Sequence, residues 1–434
     1  MSRFRLHAMP FVPGRARGIV RRGMAGAGPD NLLVLAQHEL QPFAVPPAGV
    51  VVVDGAPLSH PMIRLLGKGI PTVMVTAAQA ADLPPGMEAV LDGASGLITD
   101  TAVEETVPSA AFATPLRGGE LMTADGSAVD LRASVADAAG AATALANGAT
   151  AIGSLRSEFL APLAGEQPDA AFYEQALRDV CEIMRPLPVT VRLPDFSPDK
   201  LPSWLEPIPG MASALGLRGA RLYGIEPVRS VFHAIVQAAA RLASEYDLAL
   251  LIPYVTRLEE FRRLRHEVER LSPVPLAMGS MIETPAAALA ISDFLSAADF
   301  VTLGCNDLMQ GLFAADRDLA EVGALLDPYA PVLFRFLKRL AEEAGDEVGR
   351  VQVSGLLPQV PGILPLLLGM GYRVFSVEPV MIPYLAHTVA TTDVVPAQAL
   401  MIAVCAAADA ESVRELLGLP RGADWAVGAV ARKR

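Results

Sequence analysis

Acidic side chains follow two consecutive apolar segments of the chain. Residues 275–282 lead into Glu283, and residues 300–304 lead into Asn306 and Asp307. If both segments are parallel strands, their carboxyl ends share one rim and bring the two carboxylates together. Two carboxylates with open coordination positions suit a hard divalent cation that also binds phosphate oxygens. The alternative interpretation is that these residues only cap the helices that follow them.

Basic residues near other predicted strand ends favour the cation site over simple capping. They are Arg156, Arg192, Lys200, Arg218 and Arg317. The planar guanidinium group binds phosphate and carboxylate oxygens through two parallel hydrogen bonds. Several such groups beside two carboxylates predict a site for a small, multiply charged anion bound through a metal ion.

One of the six histidines, His60, lies between a predicted strand and a predicted short helix. A predicted strand ends at Val53, a glycine-containing loop follows, and Pro61 suits the first position of a short helix. His60 would then lie at the helix N-terminus, where the backbone N–H groups and the helix dipole favour a phosphate carried on the imidazole. The alternative is a surface cap or a core histidine. The other histidines show no metal-ligand spacing and are interpreted as structural: His7, His38, His233, His266 and His387.

Hydrophobic patterning predicts two domains joined by a linker. Residues 1–105 read as a small α/β unit with strands at 31–35, 49–53, 71–75 and 88–91. Residues 106–127 are rich in Pro, Gly, Ser, Thr and Ala, as is typical of a linker. Beyond the linker, predicted strands alternate with predicted helices. The strands lie near 129–135, 150–155, 189–194, 248–254, 275–282, 299–305, 349–354 and 373–378. The clearest helices lie at 170–184, 230–246, 258–271, 329–344 and 398–417. This alternation over residues 128–434 predicts a (β/α)₈ (TIM) barrel with its site at the strand carboxyl ends.

Composition excludes several other classes of protein. The 434 residues carry a formal net charge of −12, which argues against a nucleic-acid or anionic-membrane partner. Three cysteines without paired spacing fit a reducing compartment. The first residues contain no apolar signal-peptide core, and no apolar run approaches the roughly 20 residues of a spanning helix. We therefore expect a soluble, cytoplasmic protein.

The motifs resemble those of the phosphoenolpyruvate (PEP)-utilising enzymes, which include enzyme I of the phosphotransferase system, PEP synthase and pyruvate phosphate dikinase. Ser59-His60 with Gly69-Ile70-Pro71 is similar to the phosphohistidine motif of that family, although Leu58 replaces the usual Thr. The barrel motifs are Gly153-Ser-Leu-Arg156-Ser-Glu-Phe-Leu160, Arg192 to Lys200, Leu215-Gly-Leu-Arg218, Met281-Ile-Glu283-Thr-Pro285, and Asn306-Asp307-Leu-Met-Gln310 through Asp316-Arg317.

The resemblance implies a role for each candidate residue. Glu283 and Asp307 would hold Mg²⁺, and the phosphoryl group of PEP would pass to His60 on a swivelling domain. The implied substrate-binding residues are Arg156, Arg192, Arg218, Asn306, Asp307, Arg317 and Lys200. By analogy with the family, the protein would form a homodimer.

One motif departs from the family pattern. Ser354-Gly355-Leu356 stands where the family has Cys-Gly-Glu, whose thiol protonates the enolpyruvate carbon. A hydroxyl is a far weaker acid than a thiol, so Ser354 would be a poor proton donor. Water or Cys305 could supply the proton instead, and the family role of Lys200 is electrostatic.

Three functions remain open at this point. The first is a PEP-dependent phosphotransferase that releases pyruvate and passes the phosphoryl group from His60 to a separate acceptor protein. The second is part of a synthase or dikinase that works with a separate ATP-grasp subunit. The third is a non-catalytic regulator that binds PEP or pyruvate, which the replacement at Ser354 favours. Neither a carrier-docking helical module nor an ATP-binding module is recognisable in the sequence.

Overall fold

The computed structural model describes residues 4–55, 59–100, 116–117, 120–162, 165–213, 215–323 and 325–419. They divide into two compact units. The first consists of the described residues of Met1–Phe112, Ala315–Asp327 and Gly418–Arg434, and the second of those of Ala113–Ala314 and Pro328–Leu417. Much of the predicted linker lies outside the described residues, so the predicted boundaries 1–105, 106–127 and 128–434 stay predictions.

A mixed eight-stranded sheet forms the first unit. Its strand order is β1-β8-β7-β3-β4-β5-β6-β2, with β3 to β6 parallel and the other neighbours antiparallel. The four predicted strands are confirmed to within one residue at each end. The strands are β1 (Arg5–His7), β2 (Met9–Val12), β3 (Arg15–Arg22), β4 (Asn31–Ala36), β5 (Gly49–Val53), β6 (Thr72–Val75), β7 (Glu88–Asp92) and β8 (Leu97–Asp100).

Two helices follow the central strands of this sheet. Helix α1 (His60–Lys68) comes after β5 and ends at Gly69, whose left-handed backbone (φ 64°) closes the last turn. Helix α2 (Ala77–Ala81) begins after Thr76, whose side chain accepts a hydrogen bond from the backbone N–H of Gln79. The unit is held together by buried aliphatic side chains from the strands, among them Leu32, Val34, Val51 and Val73.

Eight parallel strands form a closed barrel in the second unit. Each pairs with its neighbours in chain order, and β11 pairs with both β12 and β18, which closes the ring. Strands β9 (Leu116–Arg117) and β10 (Glu120–Met122) extend the sheet by antiparallel pairing onto β11. The barrel strands are β11 (Ala128–Val135), β12 (Ile152–Arg156), β13 (Val189–Arg192), β14 (Leu248–Val255), β15 (Ala277–Ile282), β16 (Phe300–Gly304), β17 (Val351–Ser354) and β18 (Val374–Val377). The predicted (β/α)₈ barrel is confirmed.

Part of the barrel interior is polar. The side-chain amide of Gln352 donates to the carbonyl of Gly153 at 3.2 Å and to the hydroxyl of Thr302 at 3.1 Å, and the hydroxyls of Ser134 and Ser376 lie 2.9 Å apart. A Cβ on Gly153 would lie 2.6 Å from the oxygens of Gln352 and Ser376, so a side chain there would collide with both. These contacts show that Ser376 of β18 faces inward.

Helices alternate with the barrel strands, apart from α10, which lies in the first unit. They are α3 (Ala138–Ala146), α4 (Ala170–Met184), α5 (Val228–Leu242), α6 (Leu258–Leu271), α7 (Pro285–Ala288), α8 (Ile291–Ala297), α9 (Cys305–Phe313), α10 (Ala320–Gly323), α11 (Pro331–Ala344), α12 (Ile363–Gly369), α13 (Ile382–Thr391), α14 (Val394–Ala406) and α15 (Ala410–Leu416). The predicted single helix at 398–417 is wrong, because the chain leaves α14 in an extended conformation at Ala407. Asp409 then caps a new helix by accepting from the backbone N–H of Ser412 at 2.8 Å.

In the part of the chain that the structure describes, none of the helices taken singly has the length and apolar character to cross a membrane. The segments Pro379–Thr391 and Val394–Ala406 reach that length and composition only when counted together, and they are bent by 101° where they meet.

Candidate active site

Most of the predicted site residues lie at the carboxyl-end rim of the barrel. Arg156, Arg192 and Ser354 are the last residues of β12, β13 and β17. Glu283 directly follows β15, and Asn306 and Asp307 lie in the first turn of α9, immediately after β16. Arg218 and Lys200 lie in the long segment between β13 and α5. The fold thus gathers side chains that are widely separated in the sequence.

A buried carboxylate, Asp195, links the basic residues of this rim. Its Oδ2 lies 3.3 Å from Lys200 Nζ, 3.7 Å from Arg192 Nη1 and 3.8 Å from Arg218 Nη2. Burial acts to raise the pKa of Asp195, but the positive charges of Lys200, Arg218 and Arg192 outweigh it and lower that pKa to about 2. Arg218 also donates through Nη1 to Oδ1 of Asp307 at 2.8 Å. Contacts with the carboxylates of Asp195 and Asp307 therefore hold these basic side chains in place.

Glu283 lies close to the other acids and is almost fully buried, with 3% of its surface exposed. Its Oε2 accepts a hydrogen bond from the backbone N–H of Tyr254 at 2.7 Å. Burial, followed by the negative charges of Asp307 and Asp195, raises the pKa of Glu283 to about 8. A Cβ on Gly304 would lie 2.5 Å from Cγ of Glu283, so this glycine leaves the space that the glutamate occupies. Glu283 and Asp307 thus interact electrostatically at the rim, while their predicted role as metal ligands stays a prediction.

Tyr254 supports both the acids and the arginines. Its backbone is left-handed (φ 56°), which is uncommon for a residue other than glycine, and its N–H points to Glu283. The guanidinium carbons of Arg218 and Arg221 each lie 4.9 Å from the centroid of its ring, within the range of cation–π attraction. One residue therefore fixes a carboxylate through its backbone and two guanidinium groups through its ring.

The donor set of the rim fits a magnesium ion better than a metal bound entirely by protein. Among the described residues, no group of three or more His, Cys, Asp or Glu side chains is arranged to hold a metal ion. Mg²⁺ is commonly bound by one or two carboxylates together with substrate phosphate oxygens. Burial, followed by the negative charges of Asp307 and Asp195, raises the pKa of Glu283, and a divalent cation bound there would favour its carboxylate form. The residues present therefore fit Mg²⁺ shared with a substrate.

A second group of residues lies where β12, β17 and β18 end. Arg156 Nη2 lies 3.4 Å from Oε1 of Glu378, the residue that follows β18. The hydroxyl of Ser354 donates to the carbonyl of Leu303 at 3.0 Å, and Ser354 is buried. Burial raises the pKa of the Cys305 thiol to about 12. The Ser354 proton is thus already engaged with the backbone, and Cys305 is a weaker acid than an exposed thiol.

Four residues of the site had no predicted role. Glu158 and Asp195 pair with Arg192 in the structure, and both follow a predicted strand-end arginine by two or three residues. That proximity was the signal that could have found them, because a buried guanidinium needs a compensating acid. Glu378 stands at the end of a predicted strand, as Glu283 does. Tyr254 carried no signal, since its role depends on its left-handed backbone.

Two predicted residues belong to the first unit. His60 is the first residue of α1, with Ser59 as the N-cap and a proline in the first turn, so the predicted short helix is confirmed. The side chain of His60 and residues 56–58, including Leu58, lie outside the described residues. Arg317 is buried and lies in Ala315–Asp327, a segment of the first unit. The roles expected of His60 and Arg317 stay predictions.

The fold defines a class, the (β/α)₈ barrels, whose active sites lie at the strand carboxyl ends. Residues 114–394 match the family model described as "PEP-utilising enzyme, PEP-binding domain". The chain belongs to this family of PEP-utilising enzymes, which confirms the resemblance drawn from the motifs and the expectation of an enzyme.

Curated relatives are similar over most of the chain. A phosphoenolpyruvate-protein phosphotransferase of Haloferax volcanii is 30% identical over 412 residues, which cover 90% of this chain and 72% of the relative. One from Streptomyces coelicolor is 30% identical over 378 residues, covering 84% of this chain and 67% of the relative. A multiphosphoryl transfer protein of Xanthomonas campestris is 29% identical over 413 residues, covering 86% of this chain but only 49% of the relative. The chain thus spans from half to about three quarters of these relatives.

Proposed function

We propose that this chain catalyses the transfer of the phosphoryl group of PEP to His60, releases pyruvate and passes the phosphoryl group to a separate acceptor protein. The observation that carries the proposal is the buried arrangement of Glu283 and Asp307 beside Arg192 and Arg218 at the barrel rim. The names of the relatives, which describe transfer from PEP to protein, agree with it.

The predicted site residues would divide the tasks of this reaction among them. Arg156, Arg192 and Asn306, with Arg317, bind the phosphate and carboxylate of PEP, because guanidinium and amide groups suit those oxygens. Arg218 and Lys200 keep Asp307 and Asp195 in position. When bound, Mg²⁺ would neutralise the charge that develops on the transferred group. Glu283 and Asp307 are the residues that would hold it.

His60 is the proposed phosphoryl acceptor on this chain. It begins α1, where the N-terminal backbone donors and the helix dipole favour a phosphorylated imidazole. The acceptor that follows His60 in the reaction would be another protein, in agreement with the names of the relatives, which describe transfer to protein. The expected cytoplasmic location and the homodimer stay predictions.

The test is incubation with ³²P-labelled PEP and Mg²⁺, followed by intact mass measurement and by hydrolysis in acid and in base. We expect a gain of one phosphoryl group that is acid-labile and base-stable. It should be lost in His60→Ala, in Glu283→Gln and after chelation of the metal ion. His38→Ala is the matched control, because His38 is an exposed histidine of the same unit. Absence of labelling in the wild-type protein would refute the proposal.

One observation favours a second candidate, the non-catalytic regulator. Ser354 replaces the expected thiol, and its hydroxyl donates to the backbone of Leu303 rather than remaining available to a substrate. A regulator would bind PEP or pyruvate in calorimetry and acquire no label. The split synthase or dikinase would acquire label but would need a separate ATP-grasp subunit to pass the phosphoryl group onward. The labelling experiment therefore separates the regulator from the two enzymes.

A further inference from the structure

Glu378 is a buried acid at the rim with no role in the function proposed above. It follows β18, and Ser376, two residues earlier, faces the barrel interior. Side chains two residues apart on a strand share a face, so Glu378 continues this inward-facing row at the mouth of the barrel. Only 6% of its surface is exposed. It is therefore a carboxyl group held at the same rim as the proposed substrate-binding residues.

Hydrogen bonds tie Glu378 to the neighbouring strand end. The side-chain oxygen of Gln359 accepts from the backbone N–H of Glu378 at 3.2 Å, and its amide donates to the carbonyl of Gly355 at 2.9 Å. Gly355 follows Ser354, the last residue of β17. This bridge fixes Glu378 beside the turn where the family's thiol is replaced by Ser354.

The charge environment of Glu378 favours a carboxylic acid once a substrate is bound. Burial raises its pKa, and the nearby Arg156 guanidinium opposes that rise. A substrate phosphate or carboxylate bound by Arg156 would compete for the same guanidinium. Arg156 would then lower the pKa of Glu378 less, while burial would still raise it. Glu378 would then keep its proton to a higher pH than an exposed glutamic acid does.

We propose that Glu378 donates the proton that converts the enolate of pyruvate into pyruvate in this chain. The inference rests on the proposed function. A ring nitrogen of His60 attacks the phosphorus, the bond between phosphorus and the C2 oxygen of PEP breaks, and the enolate remains. Its C2–C3 electron pair then takes the proton of the Glu378 carboxyl group, so that a C3–H bond and the C2 carbonyl form. Glu378 is left as a carboxylate and regains a proton from water before the next turnover.

Glu378→Gln separates proton donation from substrate binding. The amide oxygen of glutamine can still accept from Arg156, but the side chain has no acidic proton. The experiment is a single turnover with stoichiometric enzyme, Mg²⁺ and PEP that carries deuterium stereospecifically at C3, in tritiated water. The pyruvate is trapped at once by reduction, the configuration of its methyl group is determined, and labelling of His60 is measured in parallel.

We expect the variant to label His60 as the wild-type protein does. Protonation of C3 on the enzyme should be at least about 100-fold slower, the usual contribution of a general acid. The enolate would then leave and be protonated in solution, giving a racemic methyl group where the wild-type protein gives one configuration. Glu378→Asp, which keeps an acid on a shorter side chain, should retain part of the selectivity.

Two results would overturn the inference while leaving the proposed function intact. One is unchanged methyl configuration in Glu378→Gln, which would assign the proton to another donor. The other is loss of His60 labelling in that variant alone, which would make Glu378 a positioning residue for Arg156. Absence of labelling in the wild-type protein would instead refute the proposed function, and this inference with it.

Discussion

Two arcs of the barrel rim differ in the number of charges that surround each acid. The acidic arc contains Asp195, Glu283 and Asp307 with the guanidinium groups of Arg192 and Arg218. In it, each acid lies within the electrostatic influence of several charges. The strand-eight arc contains Arg156, Ser354 and Glu378, where a single guanidinium faces a single buried carboxyl. The acids of both arcs are buried, but only the first arc forms a network.

This difference indicates how each arc responds to a proton. In the acidic arc, three cations hold Asp195 ionised despite its burial, and the arc keeps fixed charges ready for a metal ion and an anion. In the strand-eight arc, one partly exposed guanidinium does not overcome burial, so the pKa of Glu378 stays raised. One arc is suited to binding charge, and the other to releasing a proton.

The largest expected effect is the loss of Asp195. Asp195→Ala leaves Arg192 and Arg218 without one of their acids in a buried site, which should lower the free energy of unfolding by about 3–5 kcal/mol. Glu378→Gln should cost less than about 1 kcal/mol, because Arg156 is partly exposed and keeps an oxygen acceptor. Urea denaturation followed by circular dichroism would measure both. Equal losses for the two variants would remove the distinction between the arcs.

A smaller effect concerns the sign of the pH dependence. The pKa of Asp195 falls from the ordinary 3.8 to about 2 on folding, so its stabilisation is present above about pH 4 and is lost, by about 2 kcal/mol, as the pH falls towards 2. The pKa of Glu378 is instead raised above its ordinary 4.5, so its contribution is present below that value and is lost as the pH rises through the folded-state pKa.

Measurement of unfolding free energy against pH would show the two signs. The difference between the wild-type protein and Asp195→Asn should shrink on acidification. The free energy of unfolding of the wild-type protein should fall relative to that of Glu378→Gln as the pH rises. If the difference in unfolding free energy changed with pH in the same direction for both variants, the opposite pKa shifts of Asp195 and Glu378 would be contradicted.

The smallest effect is expected from an ion pair of the same length on the outside of the barrel. Arg178 and Glu245 lie 2.8 Å apart, as Arg218 and Asp307 do, but their side chains are 31% and 48% exposed. Water and salt screen such a pair, so Glu245→Gln should leave the denaturation midpoint unchanged within error. A clear shift would show that distance, rather than burial, decides the strength of these pairs.

Much of the fold could be predicted because apolar runs mark the barrel strands. Helices α4 and α6 begin and end where the periodicity predicted. Glu283 and Asp307 could be placed at one rim because the carboxyl ends of parallel barrel strands all lie on the same side of the barrel. The ion pairs within the rim could not be predicted. They depend on the path of the long segment between β13 and α5 and on side-chain conformations, which periodicity does not encode.

The left-handed backbone of Tyr254 restricts what this position can accept. Glycine would adopt the conformation easily but would remove the ring that two guanidinium groups lie over, and a β-branched residue would be strained. A phenylalanine would keep the ring face, whereas asparagine would keep only the backbone geometry. In attempts to retarget this barrel to other anions, position 254 should therefore be kept aromatic while the residues around it are varied.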